Sequence, residues 1–213
     1  APDARKTARA RSAALAPAGL GEARAVECTP ITRGKTYEEI TPELRAWLAE
    51  QHMFFVASAP LAEDGLVNCS PKGMDSFRVL GPRQVAYLDL TGSGIETVAH
   101  LQENGRIVFL FCSFGPLPRI VRLHGRGEAL TPRSPEWDAL LPLFPSHPGA
   151  RAIVRATLSR ISDSCGYGVP RYDFVGPRDI LERSAEKKGL EGLERYREEK
   201  NARSLDGLPG LSK

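Results

Sequence analysis

The 213-residue chain lacks most of the patterns that assign a function quickly. It has no CxxC pair, and its four cysteines (Cys28, Cys69, Cys112, Cys165) share no zinc-ligand spacing with its four histidines (His52, His100, His124, His147), so no metal site is expected. No run approaches the ~20 apolar residues of a membrane span, which predicts a soluble chain with no membrane partner. The net charge of +3 is too small to indicate nucleic acid. No GxGxxG opens a helix after the first strand, and helices do not alternate regularly with strands, so a Rossmann fold is not expected. There is no internal repeat. What the chain does have is 17 prolines and 20 glycines, which imply many turns and therefore short strands, in a globular composition of single-domain length.

Residues 1–30 stand apart. They are rich in alanine and arginine (Arg5, Arg9, Arg11, Arg24) and almost devoid of large apolar side chains. Such a segment cannot bury enough surface to offset chain entropy, so a flexible arm is expected, followed by one domain over 31–213. The arm reads either as a solvated extension or as a transit-peptide remnant; without an apolar h-region it is not an intact secretory signal. Scattered thiols, with Cys69 and Cys112 in apolar strand-like runs, predict buried free cysteines and a reducing compartment, the cytoplasm or an organelle matrix such as a plastid.

Thr41-Pro42-Glu43 predicts a helix start, with Leu44, Trp47 and Leu48 on one face. Residues 53–57 and 66–70 predict a hairpin whose second strand stops at Pro71, and residues 77–80 and 84–90 predict two more strands. Thr91-Gly92-Ser93-Gly94 leads into a helix over 95–102, closed by Asn104-Gly105. The unbroken apolar run 106–112 predicts a strand buried on both faces, 119–130 a long strand with one polar face, and 151–161 a further core strand. Ser134-Pro135-Glu136 predicts a capped helix carrying Trp137 and Phe144. Residues 177–203 predict a final helix with an apolar stripe at Leu190, Leu193 and Tyr196, broken or kinked at Gly189 and Gly192. These elements are mainly β with flanking helices and point to a small antiparallel barrel.

The bend Thr91–Gly94 offers free backbone N–H groups, glycine room and two hydroxyls, which together suit an anion, most often phosphate. Ser93 reads equally as a plain helix cap. Lys72 reads as a point charge for phosphate or a flavin carbonyl, or as a solvated turn lysine. Arg119 and Arg122 on the polar strand face read as a second anion site or as salt-bridged surface residues. Ser164-Cys165-Gly166 reads as a loop adapting to a neighbour or as an exposed thiol.

The ordered set formed by the hairpin Phe54–Ser70, the strand end Ser70-Pro71-Lys72-Gly73, the strand Val85–Leu90, the link Gly92-Ser93-Gly94, the helix end Glu103-Asn104 and the strand Arg119–Gly125 resembles the pyridoxamine 5′-phosphate oxidase-like family of FMN-binding split barrels. The resemblance implies a six-stranded antiparallel split β-barrel that forms a homodimer, holds FMN in a groove between subunits and performs redox chemistry on a small-molecule substrate. Carried over by position, it places Asn68, Ser70 and Lys72 beside the flavin ring, Leu88 and Asp89 by its backbone contacts, Ser93, Gly94 and Thr97 at the phosphate, and Arg119 approaching from the later strand. It names no catalytic residue, since the flavin carries the hydride. Where the family's true oxidases have basic residues after the serine, this chain has Gly94, Ile95 and Glu96, so pyridoxamine phosphate oxidation itself is not implied. Relatives in the wider superfamily bind deazaflavin or heme, the latter needing an axial histidine; a cofactor-free binding or assembly subunit is the remaining alternative.

Overall fold

Thr41 starts the first helix as its sequence dictates: its Oγ1 accepts the Leu44 N–H at 3.2 Å, and Pro42 takes the first turn of α1 (Pro42–Ala49), which buries Leu44 and Leu48. The computed structural model describes residues 34–211; the arm expected at 1–30 lies outside the described residues. The sheet contains β1 (Thr36–Tyr37), β2 (Phe54–Ser58), β3 (Asn68–Lys72), β4 (Phe77–Gly81), β5 (Gln84–Leu90), β6 (Arg106–Cys112), β7 (Ile120–Leu130) and β8 (Ala150–Ser164). They pair antiparallel in the order β3-β2-β6-β7-β8-β5-β4, with β1 beside β8. The path is not closed, and β3 and β4 are its two edges: this is the antiparallel split barrel. Eight strands stand where six were expected. One addition is the short β1, held because Asp163 of β8 accepts the Lys35 N–H at 3.0 Å and the Tyr37 hydroxyl at 2.6 Å.

Several local expectations are corrected. Strand β3 does not stop at Pro71 but runs through Lys72, with Pro71 opposite Phe55. A proline has no N–H to give a ladder, and an edge strand needs none on its outer side. Cys69, on the same edge, is exposed, whereas Cys112 is buried. Strand β6 buries Ile107, Phe109 and Phe111 on one face only, leaving Val108 and Leu110 half-covered. The strand buried on both faces is β5: Val85 and Tyr87 join the barrel core with Phe54, Phe109, Phe111 and Leu123, while Ala86 and Leu88 pack under Trp137, Phe144 and Ile153.

The segment after β7 forms only α3 (Trp137–Leu140), followed by a 3-10 turn at Leu141–Leu143 that contains Pro142. Ser134 does not cap it through its side chain; its Oγ accepts the Thr131 N–H and its carbonyl accepts the Trp137 N–H. Helix α2 (Glu96–Asn104) ends at Gly105, whose φ of +69° closes the turn. Helix α4 (Ile180–Lys200) is two helices meeting at Gly189 (φ +62°), and of its apolar stripe only Leu193 is buried; Leu190 is exposed. Among the described residues no helix is long and apolar enough to cross a membrane.

Candidate functional site

The period-two alternation that sends Val85 and Tyr87 into the core sends Asp89 after them, and a carboxylate so placed needs partners. It has two. Lys72 Nζ from β3 lies 2.8 Å from Oδ1, and Arg151 Nε from β8 lies 2.7 Å from Oδ2. Burial works to raise the Asp89 carboxyl, but the two cations outweigh it and hold it below the usual carboxylate range. The neighbouring Tyr87 phenol, fully enclosed, is pushed well above its ordinary value by burial.

Arg151 then reaches the Thr91–Gly94 bend. It donates to Gly92 O at 3.3 Å, Gly94 O at 2.8 Å and Asn201 Oδ1 at 2.8 Å, and Asn201 Nδ2 donates to Gly92 O at 2.9 Å. Arg197 from α4 donates to Thr91 Oγ1 at 2.9 Å. The bend is thus held from behind by residues far along the chain. The Gly92 and Gly94 carbonyls, which would repel an anion, are occupied. The start of α2 carries no side-chain cap, since its N-cap residue is Ile95, so its first N–H groups are left for a ligand.

Two neighbouring spaces lie on this side of the molecule, the smaller at the bend itself. A niche of about 120 Å³ is lined by Ser70, Lys72, Asp89, Gly94, Glu96, Thr97 and Arg151 among others. A larger cavity of about 1120 Å³ is lined by Met53, Gly73, Leu88, His147, Phe174 and Leu181 among others, and it shares Lys72 and Leu90 with the niche. His52 closes one side of the larger space, its ring stacked on Phe174 at 3.7 Å.

Of the residues expected at a cofactor, Ser70, Lys72, Asp89, Gly94 and Thr97 line the niche and Leu88 the larger cavity. Asn68 stands behind them, its Nδ2 donating to Thr97 Oγ1 at 3.0 Å and its Oδ1 accepting the Ser70 hydroxyl at 3.0 Å. Lys72 is not a solvated turn lysine, being paired at the end of a strand. Ser93 is exposed at the bend, makes no cap, and is absent from the niche lining. Arg119 is not brought to this site within the chain. Its guanidinium binds Asp163 Oδ2 at 3.0 Å and Tyr37 Oη at 2.8 Å and stacks over Trp47, while Arg122 donates to Ser164, so the pair forms no second anion site here. At the Cys165 loop both readings find support: Cys165 is exposed, and Gly166 (φ +68°) packs against the Arg119 backbone.

Sequence reasoning missed Arg151, Arg197 and Asn201. Arg151 opens a strand and reads there as a surface cation; only the register that sets Asp89 opposite Ala152 brings it beneath the bend.

The donor set suits a phosphate-bearing cofactor: uncapped N–H groups, the Thr97 hydroxyl, Lys72 and Arg151. One component opposes it. Glu96 folds back so that its Oε2 occupies the space a Cβ on Gly94 would need. The carboxylate must swing out for an anion to enter, and it has room, being a half-exposed, flexible side chain. Among the described residues no group of three His, Cys, Asp or Glu side chains could hold a metal ion.

Comparison with known proteins agrees with this geometry. The family model for pyridoxamine 5′-phosphate oxidase matches residues 40–187. The chain is 42% identical over 192 residues to the pyridoxamine 5′-phosphate oxidase family protein ustO of Aspergillus flavus, covering 82% of this chain and 77% of that one. Among solved structures, HupZ of Group A Streptococcus is 23% identical and covers 57% of this chain and 91% of its own at a TM-score of 0.45. An FMN-binding protein of Syntrophomonas wolfei is 13% identical and covers 55% and 79% at a TM-score of 0.40. Scores this low carry no functional information about the chain, but the family match and the 42% relative do fix its membership. The chain belongs to the pyridoxamine 5′-phosphate oxidase family.

Proposed function

We propose that the chain is an FMN-dependent oxidoreductase acting on a small molecule, with the FMN phosphate in the niche at the start of α2 and the ring in the adjoining cavity. The observation that carries this reading is that an anion-suited niche and a mainly apolar space about nine times larger lie side by side, sharing Lys72 and Leu90 in their walls. When bound, flavin supplies reversible hydride transfer at its ring. The chain's part is to bind and orient. Thr97 and the free N–H groups of α2 hold the phosphate, Arg151 keeps the bend in shape, and Leu88 packs against the ring's side of the cavity. Lys72 keeps one face of the site cationic while Asp89 fixes its position.

A homodimer is part of the proposal. The outward face of β2 and β6 pairs Phe55 with Leu110 and Ala57 with Val108, all half-buried, which suits a second copy, and a partner's Arg119 strand is then the route by which that residue would approach the flavin.

The test is a titration of purified protein with FMN, followed by flavin fluorescence and absorbance. Saturable binding at micromolar FMN, weakened in Thr97→Val, is the expected result. No binding, or a Soret band on heme addition that disappears with substitution of His52 or His124, overturns it.

A further inference from the structure

Helix α2 carries a second polar arrangement on its inner side, away from the cavities. His100 is wholly buried, with Nδ1 2.9 Å from Ser58 Oγ. Among the described residues its Nε2 makes no hydrogen bond, and Asp206 Oδ2, also unbonded, lies 3.6 Å away. Asp206 does not swing freely, because its Oδ1 accepts the Leu66 N–H at 3.1 Å. A Ser, a His and an Asp in line have the composition of a hydrolytic triad. Ser58, however, is 5% exposed and lines neither the niche nor the larger cavity, so no substrate carbonyl reaches it.

The direction of the hydrogen bonds gives the array a different task. The Asn68 amide is a donor at Nδ2, and it donates to Thr97 Oγ1 at 3.0 Å and, more weakly, to Ser58 Oγ at 3.4 Å. Ser58 therefore accepts from Asn68 and keeps its own proton for His100 Nδ1. This leaves the imidazole proton on Nε2, facing Asp206. The same rule at the other end makes Thr97 an acceptor toward Asn68; the Tyr87 phenol beside it, which burial keeps protonated, has its own proton to offer, so the Thr97 hydroxyl proton remains for the niche it lines. Reversing the Asn68 amide would set two acceptors against each other and turn Thr97 into the donor to Asn68.

We propose that Asp206 and His100 are positioning residues for the anion niche, fixing the proton order of the Ser58–Asn68 pair so that Thr97 donates to the bound phosphate. Asp206 lies beyond residues 40–187 matched by the family model, so this control comes from the chain's own C-terminal return. The inference rests on the phosphate assignment above, and its test separates the two.

Affinities for FMN and for riboflavin, which lacks the phosphate, are measured side by side in the wild type, Asp206→Ala, Asp206→Asn and His100→Gln. Loss of the Thr97 hydrogen bond to the phosphate should weaken FMN binding about tenfold in Asp206→Ala while riboflavin affinity stays the same. Partial recovery is expected in Asp206→Asn, which keeps an acceptor. Equal weakening of both ligands means general loosening and overturns the proposal, as does an unchanged FMN preference. Failure of the wild type to prefer FMN over riboflavin overturns the phosphate assignment itself. A second readout needs no flavin. Long-range nitrogen–proton spectra of the free protein, with the His100 signals identified by their loss in His100→Gln, should show the Nε2–H tautomer. The Nδ1–H tautomer overturns the proposal even if the binding data agree.

Discussion

Arg151 Nε lies 2.7 Å from Asp89 Oδ2, with the two side chains 5% and 1% exposed, directly behind the bend that precedes α2. A buried ion pair of this kind is weak evidence for net stability, yet removing one partner strands the other's charge. Arg151→Met is expected to cost about 3–5 kcal/mol in urea unfolding. It should also weaken FMN binding in whatever folded protein remains, because Gly94 O loses its Arg151 donor and Gly92 O keeps only that from Asn201. A loss below about 1 kcal/mol would show that the bend holds its shape without the guanidinium.

Asp89 makes the fold acid-sensitive. Its carboxyl is lower in the folded chain than in the unfolded one, so its stabilisation is fully present above about pH 4 and disappears as the pH falls through the folded value. Thermal midpoints recorded between about pH 6 and about pH 2 should fall more steeply in the wild type than in Asp89→Asn, which is less stable at neutral pH. Parallel curves would mean that other carboxylates set the acid limb.

Glu96 is the one negative charge at the niche that no cation offsets, since Asp89 is already matched by Lys72 and Arg151. Glu96→Gln should tighten FMN by about tenfold, or 1.4 kcal/mol, and leave riboflavin unchanged. Unchanged FMN affinity would place the carboxylate outside the anion's path.

Much of this was legible in the residues. Strands β5 and β6 have the boundaries their apolar runs suggest, Thr41 caps its helix, and Gly189 breaks the last one. Local chemistry decides each of these: a short apolar run between turns, a hydroxyl before proline, a glycine at positive φ. Six of the nine expected cofactor residues line the niche or the cavity beside it, because they belong to two strand ends, of β3 and β5, and one helix start. Arg119 is elsewhere because its guanidinium, just ahead of β7, binds Asp163 of β8, whose own register partner is Val121, a contact that nearby sequence does not announce. Arg151, Arg197 and Asn201 escaped notice for a related reason. Each looks like an ordinary surface polar residue until the return of the C-terminal segment turns it inward.

The same return bears on how the protein matures. The bend at residues 91–94 is synthesised well before Arg151, Arg197 and Asn201, the groups that brace it. On the ribosome the early strands can pair as they emerge, but these contacts span roughly 60 to 110 positions: the Arg151 brace waits for β8, and those of Arg197 and Asn201 for α4. Under the proposed function, a nascent chain stalled before residue 201 would display an assembled sheet whose bend still lacks its Asn201 brace and would hold FMN less tightly than the finished chain.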